Sequence, residues 1–529
     1  MRRSATIIAL GATLFQASAQ IRFEEVAQKA GLQFRLNNAA SGQFRQIELM
    51  LGGVAAFDFD DDGCTDLFFT NGAAIPSLRK TGPEFFNRLY KNHCDGTFTD
   101  VTAKSGLAGE GYSMAAATGD YDNDGLPDLF VAGVNGNKLY RNRGNGVFED
   151  VTVKAGITGN VWSVSAGWFD YDNDGWPDLF VSNYVAWDTA NEPKCGAPDA
   201  RIYCHPNQYR GLPNQLFHNN HDGTFTDVSK ASGIAAQIGK GMGVAFADFD
   251  GDGFTDVFVA NDSIRNFLFR NQGDGTFQEI GIEAGVAFRD DGATIAGMGV
   301  DFRDFDNDGL PDLTVSGMIN DGFLLFRNLG KRRLFEDFGQ RSGLLIGTRQ
   351  QTGWSLGMFD FDNDGFKDLF FANSHFPALQ RYLGRDSALS NQVFRNTDGR
   401  HFQDVSVTAG PDFQKAALHH GAAFADFDND GRMDVVVTTL EGPVKLFHNT
   451  TPNAGHWLAV KTRHLGATVR VTLNDGRVLY NHSTTAVGYA SSSEPLVRFG
   501  LGKDQTVKSI EVGKQVLSNV KADRIVEVR

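Results

Sequence analysis

A nine-residue pattern, DxDxDGxxD, occurs seven times in this 529-residue chain, and no other feature constrains the fold as strongly. The copies place carboxylates at positions 1, 3, 5 and 9. They are Asp58, Asp60, Asp62 and Asp66; Asp120, Asp122, Asp124 and Asp128; Asp170, Asp172, Asp174 and Asp178; Asp248, Asp250, Asp252 and Asp256; Asp304, Asp306, Asp308 and Asp312; Asp360, Asp362, Asp364 and Asp368; Asp426, Asp428, Asp430 and Asp434. Calcium is a hard cation that takes about six to eight oxygens, and alternate residues of a tight loop can aim several carboxylates at one point. The Gly at position 6 allows the sharp turn that returns position 9 to the ion. All 28 aspartates are therefore candidate calcium ligands. An EF-hand is excluded, because its position 12 needs a bidentate Glu. Here that position is Phe69, Val131, Val181, Val259, Val315, Phe371 or Val437, and a strand follows.

Three further signals recur in step with the loop. A strand of small residues precedes it, as in LGGVAAF or HHGAAFA. A third strand ends in Asn92, Asn142, Asn219, Asn271, Asn328, Asn396 or Asn449. A turn often written DGTF then opens a fourth strand at Phe98, Phe148, Phe225, Phe277, Phe335 or Phe402. Four short strands per repeat predict an all-β protein, a seven-bladed β-propeller over residues 20–450 with calcium loops. A fourth-strand signal at Phe23 precedes the first loop and none follows Asn449. The N-terminal segment is therefore expected to complete the last blade, leaving no open sheet edge. Residues 455–529 lack the loop and read as alternating strands, a small C-terminal β-domain.

Net charge is −15, which excludes nucleic acid as a partner, and the loops supply 28 of the 64 acidic side chains. The acidity is mostly metal-site acidity. Arg2 and Arg3, the apolar run Ala5 to Phe15 and Ala17-Ser18-Ala19 read as a signal peptide over residues 1–19. No other stretch is apolar and long enough to span a bilayer. The expectation is a secreted, extracellular or periplasmic monomer. Cys64, Cys94, Cys195 and Cys204 are even in number, as an exported chain with two disulfides requires. The first calcium loop and its neighbouring turn bring Cys64 near Cys94, leaving Cys195 for Cys204.

Calcium loops and DGTF turns share one face of such a propeller. The opposite face carries the variable loops, the longest from Asn183 to Pro213. Its Trp187, Tyr203, His205 and Tyr209 are candidate ligand-binding residues, since a decorated loop on a rigid scaffold is a usual place for recognition. The partner would be an extracellular protein, a surface ligand or a glycan, and an enzyme acting on extracellular polysaccharide is the further alternative. No Walker, GxGxxG or HExxH motif occurs, and no catalytic residue is assigned. His419-His420 reads as a structural pair.

Loop, strand and DGTF turn together resemble FG-GAP, or VCBS, repeats. HWLAVK, GATVRV, RFGLG and SIEV make the C-terminal piece similar to the ASPIC/UnbV domain, although Gly513 stands where that domain would carry Trp and Pro-Gly. The combination, with NYVAWD…YCHPNQYRGLPNQLF and GMGVDFRDFDNDG, resembles the cartilage acidic protein 1-like family in its exported, bacterial form. That resemblance implies an extracellular calcium-binding propeller with no established catalytic role.

Overall fold

The computed structural model describes residues 20–330, 334–377 and 384–528; the leader over 1–19 lies outside them. Each repeat folds as a four-stranded antiparallel sheet, and there are seven such sheets among the described residues. Their first strands are Val54–Phe57, Ser113–Gly119, Ser163–Phe169, Gly241–Ala247, Val300–Arg303, Gly353–Phe359 and His419–Ala425. These strands touch one another in chain order, and the last packs against the first, so the sheets form a closed, propeller-like ring. The seventh sheet takes its outer strand from the other end of the chain. Phe23–Glu25 pairs with Lys445–Asn449 in the register Phe23 to Asn449.

Burial explains this alternation of strands and turns. The second strands, such as Asp178–Asn183 and Asp368–Asn373, are buried along their whole length. They accordingly read as apolar runs without polar alternation. Neighbouring sheets meet through aromatic pairs, for example Phe169 on Phe246 at 4.6 Å and Phe359 on Phe424 at 4.7 Å between ring centres.

Residues 456–528 form two sheets of their own around Leu458, Val460, Val469, Val471, Val507 and Ile510. This unit is not a separate appendage. Between its strands Val478–His482 and Val497–Gly502, the chain leaves the domain and runs into the centre of the ring. There Ser492 exchanges backbone bonds with Val54 and Ala56 of sheet one, and Ala490 accepts from Ala116 of sheet two. Ser165 of sheet three accepts, on its Oγ, the Ala490 N–H at 3.1 Å. His482 bonds the Phe246 carbonyl of sheet four, and Gly488 exchanges backbone bonds with Val300 of sheet five. Tyr489 donates its N–H to Ser355 of sheet six, and Glu494 to the Phe424 carbonyl of sheet seven.

The segment, together with His482 at its root, thus reaches the first strand of all seven sheets as a central plug. Small residues on those strands make room for it. A β-carbon on Gly421 would lie 1.9 Å from the Gly52 carbonyl oxygen and 2.9 Å from Ser491 Oγ. The plug itself turns at Gly488, where φ is +80°.

Candidate metal centres

The seven loops are built alike. In the first, Asp58 accepts the N–H groups of Asp62 (3.1 Å) and Gly63 (2.8 Å), and Asp62 accepts that of Cys64 (3.0 Å). Asp66 accepts from Phe59 (3.1 Å) and from Asn92 on the third strand (2.7 Å). Position 4 is left-handed in every copy, with φ from +53° to +71°, which accounts for its Asn, Asp or Gly. Position 9 is buried in every copy.

The Asn that ends each third strand ties the ring together. Its Nδ2 donates to the position-2 carbonyl of the preceding sheet: Asn142 to Phe59 at 2.8 Å, Asn271 to Tyr171 at 2.7 Å, Asn449 to Phe361 at 2.9 Å. Asn92 closes the circle by donating to Phe427 of the seventh loop at 2.7 Å. In five loops the position-4 Asn reaches forward as well, as from Asn173 to the Gly253 carbonyl at 2.9 Å.

One regular feature was visible in the sequence but not read from it. The residue before each of these Asn is basic: Lys91, Arg141, His218, Arg270, Arg327, Arg395 and His448. Each faces the carboxylates of its own loop. Arg395 sits 2.6 Å from Asp362 and 2.5 Å from Asp364, and Arg327 sits 2.7 Å from Asp306 and 3.3 Å from Asp308.

The basic residue before the Asn does not satisfy four aspartates. It engages the Oδ2 atom of position 3 and leaves the other oxygen. Oδ1 of Asp60, Asp122, Asp172, Asp362 and Asp428 is buried without a hydrogen-bond partner. Carboxylate oxygens of Asp58, Asp60 and Asp62, and again of Asp120, Asp122 and Asp128, lie within 4.8 Å of one another. Burial pushes the carboxyl of Asp66 up to about 8 and that of Asp178 to about 7. Clustered oxygens, a partnerless inner oxygen and unfavourable buried charge are the donor set that a hard divalent cation completes.

The cysteines are paired, Cys64 with Cys94 and Cys195 with Cys204. Of the four aromatic and imidazole candidates on the long insertion, only His205 is exposed, where it caps a short 3₁₀ turn. Trp187 and Tyr209 are buried and both donate to Glu192, Tyr209 at 2.6 Å. Tyr203 is half-buried, with its hydroxyl 3.4 Å from Glu48 and its ring on Phe44. The insertion thereby folds onto residues 44–48, over the mouth of the ring opposite the loops. His419 and His420 are buried, and His420 stacks on Trp354 at 4.0 Å.

The C-terminal domain covers the loop face unevenly. It lies close over loops five to seven: a β-carbon on Gly309 would lie 3.3 Å from the Tyr480 ring and one on Gly431 1.8 Å from Trp457. Over Gly63 and Gly125 of loops one and two there is open space. A cleft of about 700 Å³ results, floored by Asp58, Asp120 and Asp170 and roofed by Lys461, Arg463 and His464. The linear sequence carried no sign of it, since it depends on how the domain is seated.

FG-GAP-like repeat models match residues 58–131, 120–181, 202–259, 248–315, 304–371 and 360–437. The ASPIC and UnbV model matches residues 459–529. Human cartilage acidic protein 1 is 29% identical over 315 residues, 56% of this chain and 44% of that protein. The Xenopus tropicalis protein of the same name is 30% identical, over 55% of this chain and 45% of its own. The chain thus matches less than half the length of these curated relatives. Among solved structures, a lectin from Agrocybe aegerita that recognises non-reducing terminal N-acetylglucosamine superposes with a TM-score of 0.42 at 15% identity. It covers 82% of this chain and 94% of its own, and a likeness at that level carries no functional weight. Two disulfides are present, and no helix among the described residues is long and apolar enough to cross a membrane. The chain belongs to the FG-GAP-like repeat family, with a C-terminal ASPIC and UnbV domain, and is a homologue of cartilage acidic protein 1.

Proposed function

We propose that this protein is an extracellular scaffold stapled by calcium and built to present binding surfaces to a protein or surface ligand. The observation that supports the metal most directly is the buried, partnerless Oδ1 atom of position 3 in five loops. An acceptor left so costs about 1–3 kcal/mol, more if charged, unless something fills its coordination. The aspartates at positions 1, 3, 5 and 9 would hold the ion. Calcium would supply charge compensation at the turn joining the two inner strands of each sheet; the Asn ring and the basic residues position that turn. Elemental analysis of protein dialysed against micromolar calcium tests this reading. Several calcium ions per chain are expected, and calcium-free protein under those conditions would exclude it.

A lectin-like reading is the second candidate, and the cleft favours it. Its volume is in the range that holds a small ligand, and its walls mix Asp, Arg, His, Thr and Ser. A glycan array probed with the intact protein and with an Arg463→Ala variant separates the two readings. Binding that the variant loses supports a saccharide in the cleft; an array without hits leaves only the scaffold reading.

A further inference from the structure

The seventh loop is met by its own chain in a way the other six are not. In loops one to six, ion pairs reach positions 3 and 5, and in loop three His218 also reaches position 9. Among the described residues, no ion pair reaches position 1 in any of those six. In loop seven it does. Arg498 of the C-terminal domain places Nη1 3.1 Å from Asp426 Oδ2. Glu494, on the plug, grips the same guanidinium through both carboxylate oxygens, at 3.2 Å to Nη2 and at the Nε atom. Arg498, Glu494 and Asp426 have side chains only 11%, 2% and 1% exposed.

A second guanidinium belongs to the loop itself. Position 7 is Cys64, Leu126, Trp176, Phe254, Leu310 or Phe366 in the other loops, but here it is Arg432, which pairs with Asp430. His448 faces the remaining two carboxylates, Asp428 at 3.8 Å and Asp434 at 3.2 Å. All four aspartates of loop seven therefore already face a basic group. Trp457 lies over Gly431 and stacks beneath Arg498 at 5.6 Å, closing the loop under the C-terminal domain.

Two permanent positive charges at a site reduce its attraction for a third, and most strongly where burial keeps water from screening them. We infer that loop seven is the weak, last-filled calcium site of the ring, and that its occupancy trades against the Arg498–Asp426 clamp seating the C-terminal domain. This rests on the reading that the loops hold calcium. An ion entering loop seven needs Asp426, so Arg498 must yield it and fall back on Glu494. Calcium at this one loop then loosens the domain while calcium at the other six tightens the ring.

The test is a calcium titration of the intact, chelator-stripped chain by isothermal calorimetry, with hydrogen exchange followed over residues 455–462 and 494–502. Six sites should fill before a seventh at least about tenfold weaker, and exchange at those residues should rise only as the seventh fills. Arg432→Leu adopts the residue of Leu126 and Leu310 and leaves the clamp in place; it should bring the seventh site towards the other six. Arg498→Met should do the same and raise exchange before any calcium is added. Seven indistinguishable sites in the wild-type chain, or a weak site that neither variant strengthens, would overturn the inference alone. A chain that binds no calcium would overturn the metal reading with it.

Discussion

Tyr489, at the tip of the plug, donates its hydroxyl to the carbonyl of Met50 at 2.6 Å, across 439 residues of sequence. The contact joins the C-terminal domain, reaching through the ring from the loop face, to the segment that closes the opposite mouth. Tyr112 donates to Asn38 and Ile47 in the same segment. A buried hydroxyl bond of this kind is worth about 1 kcal/mol net, and stranding the acceptor costs more. Tyr489→Phe should therefore lower stability by roughly 1–2 kcal/mol, read from urea unfolding.

The plug also governs whether the ring can exist alone. With His482, whose imidazole bonds Phe246, it hydrogen-bonds all seven inner strands. A chain ending at residue 450 should unfold without a cooperative transition, or expose apolar surface that binds a hydrophobic dye. A truncated ring with the melting temperature of the full chain would show the C-terminal domain to be dispensable.

The Asn ring offers a local test. Asn271 donates to Tyr171 at 2.7 Å and to Thr255 at 3.2 Å, and accepts from Gly273 at 3.0 Å, all with its buried side chain. Asn271→Ala leaves the buried Tyr171 and Thr255 carbonyls unpaired and should cost about 2–4 kcal/mol. Asn220→Ala, one residue along an equivalent turn and exposed, should cost under about 0.5 kcal/mol.

Acid should find the buried histidines first. Burial lowers His420 and His482 from 6.5 to about 3, and each gives one ring N–H to a backbone carbonyl, Leu51 and Phe246. Their folded pKa lies below the unfolded one, so the unfolded chain binds protons first as pH falls. The stability they contribute is full above about pH 6.5 and is lost towards pH 3, by roughly 1.4 kcal/mol per pH unit for each. In saturating calcium, His420→Gln should show a shallower fall in melting temperature between pH 6.5 and 4.5 than the wild-type chain. An equal slope would mean that His420 does not titrate on unfolding.

Much of this architecture was legible in the linear chain because the repeat is written in backbone-dictated residues. Position 4 must tolerate positive φ, position 6 must be Gly, and the strand after Asp66 or Asp178 is apolar because both its faces are buried. The fourth-strand signal at Phe23 likewise marked the pairing with Asn449. The plug was not legible. Residues 483–493, Ser-Thr-Thr-Ala-Val-Gly-Tyr-Ala-Ser-Ser-Ser, have the composition of an exposed loop, and their burial comes from strands up to some hundreds of residues away. Their hydroxyls suit the interior only because the inner strands offer backbone partners, as when Ser493 accepts from Phe424 and Thr485 donates to Thr118. The aromatic insertion misled in the opposite sense: Trp187 and Tyr209 look like ligand-stacking residues in sequence, yet Glu192 and Trp162 enclose them.

Whether calcium holds the ring together is read most directly from the melting temperature measured with and without a strong chelator. Four clustered aspartates per loop, only partly offset by their basic neighbours, should repel one another once the metal is gone. A fall of at least about 10 °C is expected on chelation, restored by added calcium and not by sodium at equal ionic strength. A melting curve unchanged by the chelator would contradict it.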